Sequence, residues 1–315
     1  MDWFIGHQSA LQFWREALAE SALAGKRLRT KTLPRKPLDA SSLYEGNPWF
    51  LALPLTILVA SGSARKEARS LMCHVSSGEF PQGSFIRGDK ELVVSSPELC
   101  FLQMASELNF VDLIKLGYEF CGNYRLDKLS EPEQGFRKDI PLTSVAALKF
   151  YLNKAAGLKG RKNASKALRY IADGAASPME PVLAMMLTLP YRLGGYGFEM
   201  PRLNYPIEIG PKTQLSRSKI TYYGDLYWPG ARVDIEYDSD AFHSTPDRIA
   251  ADSIRRTTLN STGVTVITVS RKQIISNSRM REVAKVLSKK LGKRLQPPMP
   301  EFTTRNLRLL KQLLP

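Results

Sequence analysis

A carboxylate-rich hairpin, followed by a helix and a buried strand, limits this chain more than any other stretch. Tyr222–Trp228 and Arg232–Asp238 are aromatic and β-branched runs separated by Pro229-Gly230, the pattern of two antiparallel strands joined by a tight turn. A two-residue loop sets Trp228 opposite Ala231, Asp225 opposite Asp234 and Tyr223 opposite Glu236. Alternation then places Asp234, Glu236 and Asp238 on one face with Asp225, and Val233, Ile235 and Tyr237 on the other. Like charges facing each other cost roughly 0.2–1 kcal/mol per pair. The cluster therefore needs an offset, either water and salt over an exposed face or a divalent cation such as Mg2+, which takes oxygen ligands.

The chain after the hairpin narrows the choice. Asp240-Ala241-Phe242-His243 leads into Ser244-Thr245-Pro246-Asp247, a helix start with a hydroxyl cap, proline at the first position and an acid in the first turn. Arg248, Asp252, Arg255, Arg256 and Leu259 recur at three- and four-residue steps, which sets Asp252 beside Arg248 and Arg255 on one helix face. Gly263 suits a helix end, and Val264–Ser270 reads as a buried strand.

Asp225, ten residues, Glu236-Tyr237-Asp238, then His243, Asp252-x-x-Arg255, Leu259, Gly263 and Val266 resemble the nuclease domain of the very-short-patch repair endonucleases, in the PD-(D/E)XK superfamily. The resemblance implies an α/β fold, a restriction-endonuclease-like mixed sheet flanked by helices, and hydrolysis of DNA phosphodiester bonds with Mg2+ or Mn2+, in DNA repair or phage defence. It implies Asp225 and Glu236 as the metal ligands. It also implies Asp238 at the position where the superfamily usually has lysine, His243 as general base or phosphate contact, and Glu180 as an acid on a preceding helix that approaches the metal. Arg255 either pairs with Asp252 or reaches a phosphate. Asp234 is an accessory acid or a solvated neighbour. The missing lysine keeps a second reading open: a catalytically silent DNA-binding or antitoxin-like regulator on the same scaffold.

The remainder of the chain bears on partner and location. In 315 residues, 45 Lys and Arg against 30 Asp and Glu give a net charge of +15, which points to a polyanion and, for a soluble chain, to nucleic acid. DNA is the expected partner, although charge does not separate DNA from RNA or set an oligomeric state. Met1–Ala10 lacks the basic start of a secretory signal. The longest apolar run, Trp49–Ala60, is interrupted by Pro54 and is too short to span a bilayer. Three cysteines without metal-ligand spacing read as reduced thiols, so a cytoplasmic protein with no membrane partner is expected.

Residues 1–135 form an N-terminal α+β region to which no role is assigned. It opens with an amphipathic helix from about Ser9 to Ala24 and a basic loop, Lys26 to Pro37. A helix rich in Ala, Lys and Arg is expected near Arg69. Ser96-Pro97 starts an apolar helix expected to run to about Leu116, with Gly117 as its stop. Ser96 to Arg125 resembles a segment of abortive-infection type antitoxins. Residues 136–176 read as a basic helical linker: one helix begins at Thr143, another is capped by Asn163, and Lys149, Lys159, Arg161, Lys162 and Lys166 lie on the pair. These five, with Arg255, Arg256 and Lys272, are the expected DNA contacts, and a solvated helical bridge is the alternative. Residues 177–295 form the nuclease-like domain, with Pro206 marking an edge strand. Residues 296–315 form a tail helix after a densely basic helix from about Lys272 to Leu291.

Overall fold

The computed structural model describes residues 2–33, 51–66, 68–88, 91–126, 135–209, 220–238, 246–297 and 299–314, with backbone alone at 246–249 and 251–252. The chain divides into two compact units, Met1–Ile171 and Ala172–Pro315. Both are mixed α/β, with sheets accompanied by helices. No helix among the described residues is long and apolar enough to cross a membrane.

The first unit runs β1 (Trp3–Ile5), α1 (His7–Glu16), α2 (Ala19–Leu23), β2 (Leu55–Val59), β3 (Leu71–Val75), β4 (Phe85–Arg87), β5 (Leu92–Ser95), α3 (Pro97–Met104), α4 (Phe110–Cys121), β6 (Tyr124–Leu126), β7 (Phe136–Lys138), α5 (Val145–Lys154) and α6 (Arg161–Ala167). The order β3-β2-β1-β5-β4 makes a five-stranded mixed sheet, and β6 and β7 form a separate pair. Every residue of β1, β2 and β5 is buried. That explains their mostly apolar sequences, because strands covered on both faces do not alternate. Trp14 on α1 is fully buried and donates its indole N–H to the Ser95 carbonyl at 2.9 Å.

Several helix boundaries differ from the sequence reading, each for a local reason. The first amphipathic stretch is two helices, because Ala17 and Leu18 are extended. In place of the Ala/Lys/Arg-rich helix, Ala68 bridges to Leu71 and β3 follows. Ser96 does cap α3, accepting the Leu99 N–H at 3.3 Å, a contact typically worth about 1 kcal/mol. That helix ends at Met104, and Asn109 caps α4 by accepting the N–H groups of Val111 and Asp112. Gly117 is therefore interior to α4. A Cβ there would meet Ile171 Cδ1 at 2.2 Å, so the glycine permits close packing and stops nothing. Ser144 caps α5. Gly160, at φ 89°, starts α6, while Asn163 donates to the Ala105 carbonyl.

The conspicuous polar residues of Ser96 to Arg125 tie the first unit together. Glu98 accepts from Arg27 and Thr143, Glu119 forms a two-pronged ion pair with Arg15, and fully buried Arg125 donates to the carbonyls of Glu119 and Ile140. The helices of the basic stretch also belong to this unit, since Leu148, Tyr151, Leu152, Ala164 and Ala167 are buried and the Tyr151 hydroxyl bonds Ser84 at 2.7 Å.

The second unit runs α7 (Met179–Thr188), β8 (Arg202–Ile209), β9 (Ile220–Trp228), β10 (Val233–Asp238), α8 (Pro246–Ser261), β11 (Thr265–Ser270), α9 (Arg271–Ile274), α10 (Asn277–Lys290) and α11 (Pro300–Leu313). Its sheet has the order β11-β10-β9-β8. The pairs β8–β9 and β9–β10 are antiparallel, and β10–β11 is parallel. Pro206 does lie on the edge strand β8. The expected basic helix is divided into α9 and α10, with Asn306 of α11 bonded to Asn277 and to the Gly194 carbonyl. Ile207, Ile209, Tyr227, Leu259 and Val264 form a core cluster that fixes α8 against the sheet.

Candidate functional site

The hairpin register is two residues away from the sequence expectation. Val233 pairs with Trp228, Asp234 with Tyr227 and Ile235 with Leu226. The loop has four residues, with Ala231 N–H bonded to Trp228 O, Arg232 N–H bonded to Pro229 O, and Arg232 in the left-handed region at φ 51°. A shift of two preserves the face of each side chain on β10, so the acids survive the error while their partners change. Asp225 departs from simple alternation as well. Between the pairs Leu203↔Leu226 and Tyr205↔Gly224 the ladder is interrupted at Asp225 and at Asn204, whose φ is 44°. The Asp225 carboxylate accepts the Tyr237 N–H at 2.8 Å, which holds it against β10.

Asp234 is fully buried, and neither of its oxygens has a hydrogen-bond donor among the described residues. Its space exists because position 224 is glycine: a Cβ there would stand 2.6–2.7 Å from the carboxyl atoms of Asp234. Burial and the neighbouring Glu236 and Asp225 charges push the Asp234 carboxyl well above the usual carboxylate range. A proton held there relieves the repulsion between Asp234 and Glu236. Glu236 is raised by burial and by Asp225, against the pull of Arg255. Asp225 is raised by burial, against the Tyr237 N–H and Arg255.

Glu180, at the start of α7, completes the group. It is 5% exposed and accepts from Ala176 N–H at 2.9 Å, Ser177 Oγ at 3.1 Å and Asn204 Nδ2 at 2.8 Å. Burial and the charge of Asp225 nevertheless raise its pKa to about 7. The helix N-terminal position alone favours the ionised form, so the acidic neighbour and desolvation outweigh it.

Arg255 reaches from α8 to β9 and β10. Its Nη2 lies 2.7 Å from Glu236 Oε1 and donates to the Tyr223 carbonyl at 2.5 Å. The pairing is with Glu236. The Asp252 side chain lies outside the described residues, as does His243. Asp238 closes β10 opposite Ser270 of β11, and exposed Arg256 and Lys272 lie on α8 and α9. In the first unit Lys149, Lys159, Lys162 and Lys166 are exposed on and between α5 and α6, while Arg161 donates its Nε–H to the Leu152 carbonyl at 2.7 Å. Arg161 thus has a structural task within the helix pair.

The all-oxygen donors of Asp225 and Glu236 fit a hard divalent ion, which needs only one or two carboxylates when water and phosphate oxygens complete the shell. The buried Asp234 carboxyl lies beside them and interacts with that of Glu236. The four acids do not by themselves make a three-ligand cage: the group of three ligand side chains that approach within 4.8 Å among the described residues is His7, His74 and Glu107, in the first unit. Sequence reasoning did not single out Gly224 or Asn204. The only signal for Gly224 was a glycine inside a strand pattern, which marks close approach of another group. Comparison with protein-family models, with curated proteins and with solved structures finds no match.

Proposed function

We propose that the second unit hydrolyses DNA phosphodiester bonds on a restriction-endonuclease-like sheet, related to very-short-patch repair endonucleases of the PD-(D/E)XK superfamily, with Mg2+ or Mn2+ held by Asp225 and Glu236. The observation that carries this reading is the convergence of four carboxylates, Glu180, Asp225, Asp234 and Glu236, each raised above its usual range chiefly by burial, with the Asp225 charge adding to the rise at the other three. Such perturbation of buried acids is costly and is characteristic of functional sites. When bound, the ion supplies a lowered pKa for a water ligand and a clamp on the phosphate. The chain's own residues do the rest. Glu180 and Asp234, both with raised proton affinity, lower the charge that Asp225 and Glu236 face. Arg255 neutralises Glu236 and would be free to contact a phosphate if an ion took its place on that carboxylate. His243 is assigned to proton transfer.

One observation favours the second reading, a catalytically silent DNA-binding or antitoxin-like regulator: the Arg255–Glu236 ion pair is what a scaffold without metal would retain, and Asp238 replaces the usual lysine. Mn2+ titration followed by electron paramagnetic resonance separates the two. The nuclease reading expects a bound-ion signal in the wild-type chain that is lost in both Asp225→Ala and Glu236→Ala. An unchanged signal in both variants, or none in the wild type, favours the silent regulator.

A further inference from the structure

We infer that the first unit carries a second, chemically different metal site, a three-ligand centre for a borderline divalent ion such as Zn2+ formed by His7, His74 and Glu107. The three donors come from three places far apart in sequence: the first residue of α1, the interior of β3, and the turn after α3. Their ligand atoms all lie within 4.8 Å of one another. The Nδ1 atom of His7 is in direct contact with Glu107 Oε1, and the His7 and His74 rings lie face to face with centroids 3.9 Å apart. Ligands around a tetrahedral Zn2+, at bonds of about 2.0–2.2 Å, stand roughly 3.3–3.6 Å apart, so the closure required is small. It includes turning the His74 ring about χ2, out of the stack, to aim its in-plane lone pair at the same point as that of His7.

The protein holds His7 in place. Its backbone lies in the left-handed region at φ 49°, its N–H donates to Gln103 Oε1 at 2.9 Å, and Cys100 donates its thiol to the His7 carbonyl at 3.8 Å. Gly6, just before it, packs so closely that a Cβ would meet Leu58 Cδ2 at 2.8 Å and Gln103 Nε2 at 2.9 Å. This fixes the imidazole at the end of β1, beside the sheet that carries His74.

The donor set selects the ion. Two imidazoles and one carboxylate suit Zn2+ and its first-row neighbours, whereas Mg2+ prefers oxygen alone. Lys159 and Arg65 add positive charge around His74, and Lys159 also acts on Glu107, so an ion is held here by coordination and not by a negative field. Cys100 keeps its thiol turned to the His7 carbonyl and is not counted as a ligand. Both histidines are half-buried and Glu107 is exposed, which leaves a path for the ion and an open fourth position, the arrangement of sites that retain a water.

The test uses the full chain stripped of metal. Calorimetric titration with Zn2+ should give one strong site per chain, weakened at least about 100-fold in His74→Ala and in Glu107→Ala and retained in Asp225→Ala. Co2+ in the wild-type chain should produce the visible absorption of a low-symmetry nitrogen-containing site, abolished by added Zn2+; this reading does not depend on any variant folding. Absence of that absorption, or Zn2+ affinity unchanged by both His74→Ala and Glu107→Ala, overturns the assignment.

Discussion

In the second unit four carboxylates crowd together over a span of chain from Glu180 to Glu236, and desolvation with mutual repulsion lifts their proton affinities. In the first unit two imidazoles and one carboxylate meet from positions 7, 74 and 107, and Glu107 is instead held below its usual range, chiefly by its contact with His7. The first arrangement stores unfavourable charge that protons or a hard cation can neutralise; the second stores lone pairs that a softer cation can share. The contrast teaches that burial of like-charged donors raises their proton affinity, while in a mixed nitrogen and oxygen set the carboxylate is steadied by an imidazole contact.

The comparison breaks most readily at the acids. Asp225→Ala and Glu236→Ala are each expected to lower Mg2+-dependent cleavage by about three orders of magnitude, the scale of several kcal/mol of charge stabilisation at a metal site, measured as initial rates on plasmid DNA. Equal rates in wild type and variants would remove the acidic group from the chemistry.

Ion preference sharpens the contrast next. Zn2+ affinity should depend on His74 and not on Asp225, with a difference of about 100-fold or more between the two alanine variants. Sensitivity to Asp225 alone would merge the two sites into one.

Packing gives a smaller effect. Gly224→Ala pushes a methyl group into the Asp234 carboxyl and is expected to cost about 1–3 kcal/mol, lowering the melting temperature of the second unit by about 3–10 °C. Asp234→Ala in the same chain should recover part of that loss, a non-additivity that calorimetry of the single and double variants would detect.

The pH dependence is smaller again. Glu180 binds its proton more tightly when folded, with a pKa of about 7 against 4.5 when unperturbed. In that window the native state holds more protons than the unfolded state, so stability in EDTA falls as pH rises from about 4.5 through about 7. Asp234 is raised in the same direction. Asp234→Asn should therefore raise stability at pH 8 by about 1 kcal/mol, the worth of about one pKa unit, and flatten the profile seen in chemical denaturation. A profile that rises over the window would reject the assigned strain.

The mildest effect concerns the helix pair α5 and α6. Changing Lys149, Lys159 and Lys166 together to alanine should flatten the slope of log affinity for DNA against log salt by about 3, near one per lost phosphate contact. An unchanged slope would leave those lysines as a solvated surface.

The sequence made the second unit readable in proportion to how local its interactions are. Strand alternation brought Asp234 and Glu236 onto one face of β10, whereas Asp225 sits where the β8–β9 ladder is interrupted and is held by the Tyr237 N–H. The loop length escaped, because Pro229-Gly230 matches a two-residue turn while Arg232 adopts a left-handed backbone that no simple preference demands. Helix spacing set Arg255 beside Asp252, whose side chain lies outside the described residues, and gave no sign of its ion pair with Glu236, a contact that requires the packing of α8 on the sheet. Gly117 has the composition of a helix stop and acts as a packing notch for Ile171. His7, His74 and Glu107 left no sequence signal at all, since nothing in their spacing foretells that β1 lies between β2 and β5.

Cleavage of supercoiled plasmid and single-stranded DNA by the purified wild-type chain, with Mg2+, with Mn2+ and with EDTA, tests the central claim most directly. The account predicts cutting that requires either ion and stops in EDTA. Salt-sensitive DNA binding with no cutting under any of these conditions would contradict it and leave the four carboxylates as the relic of a silent scaffold.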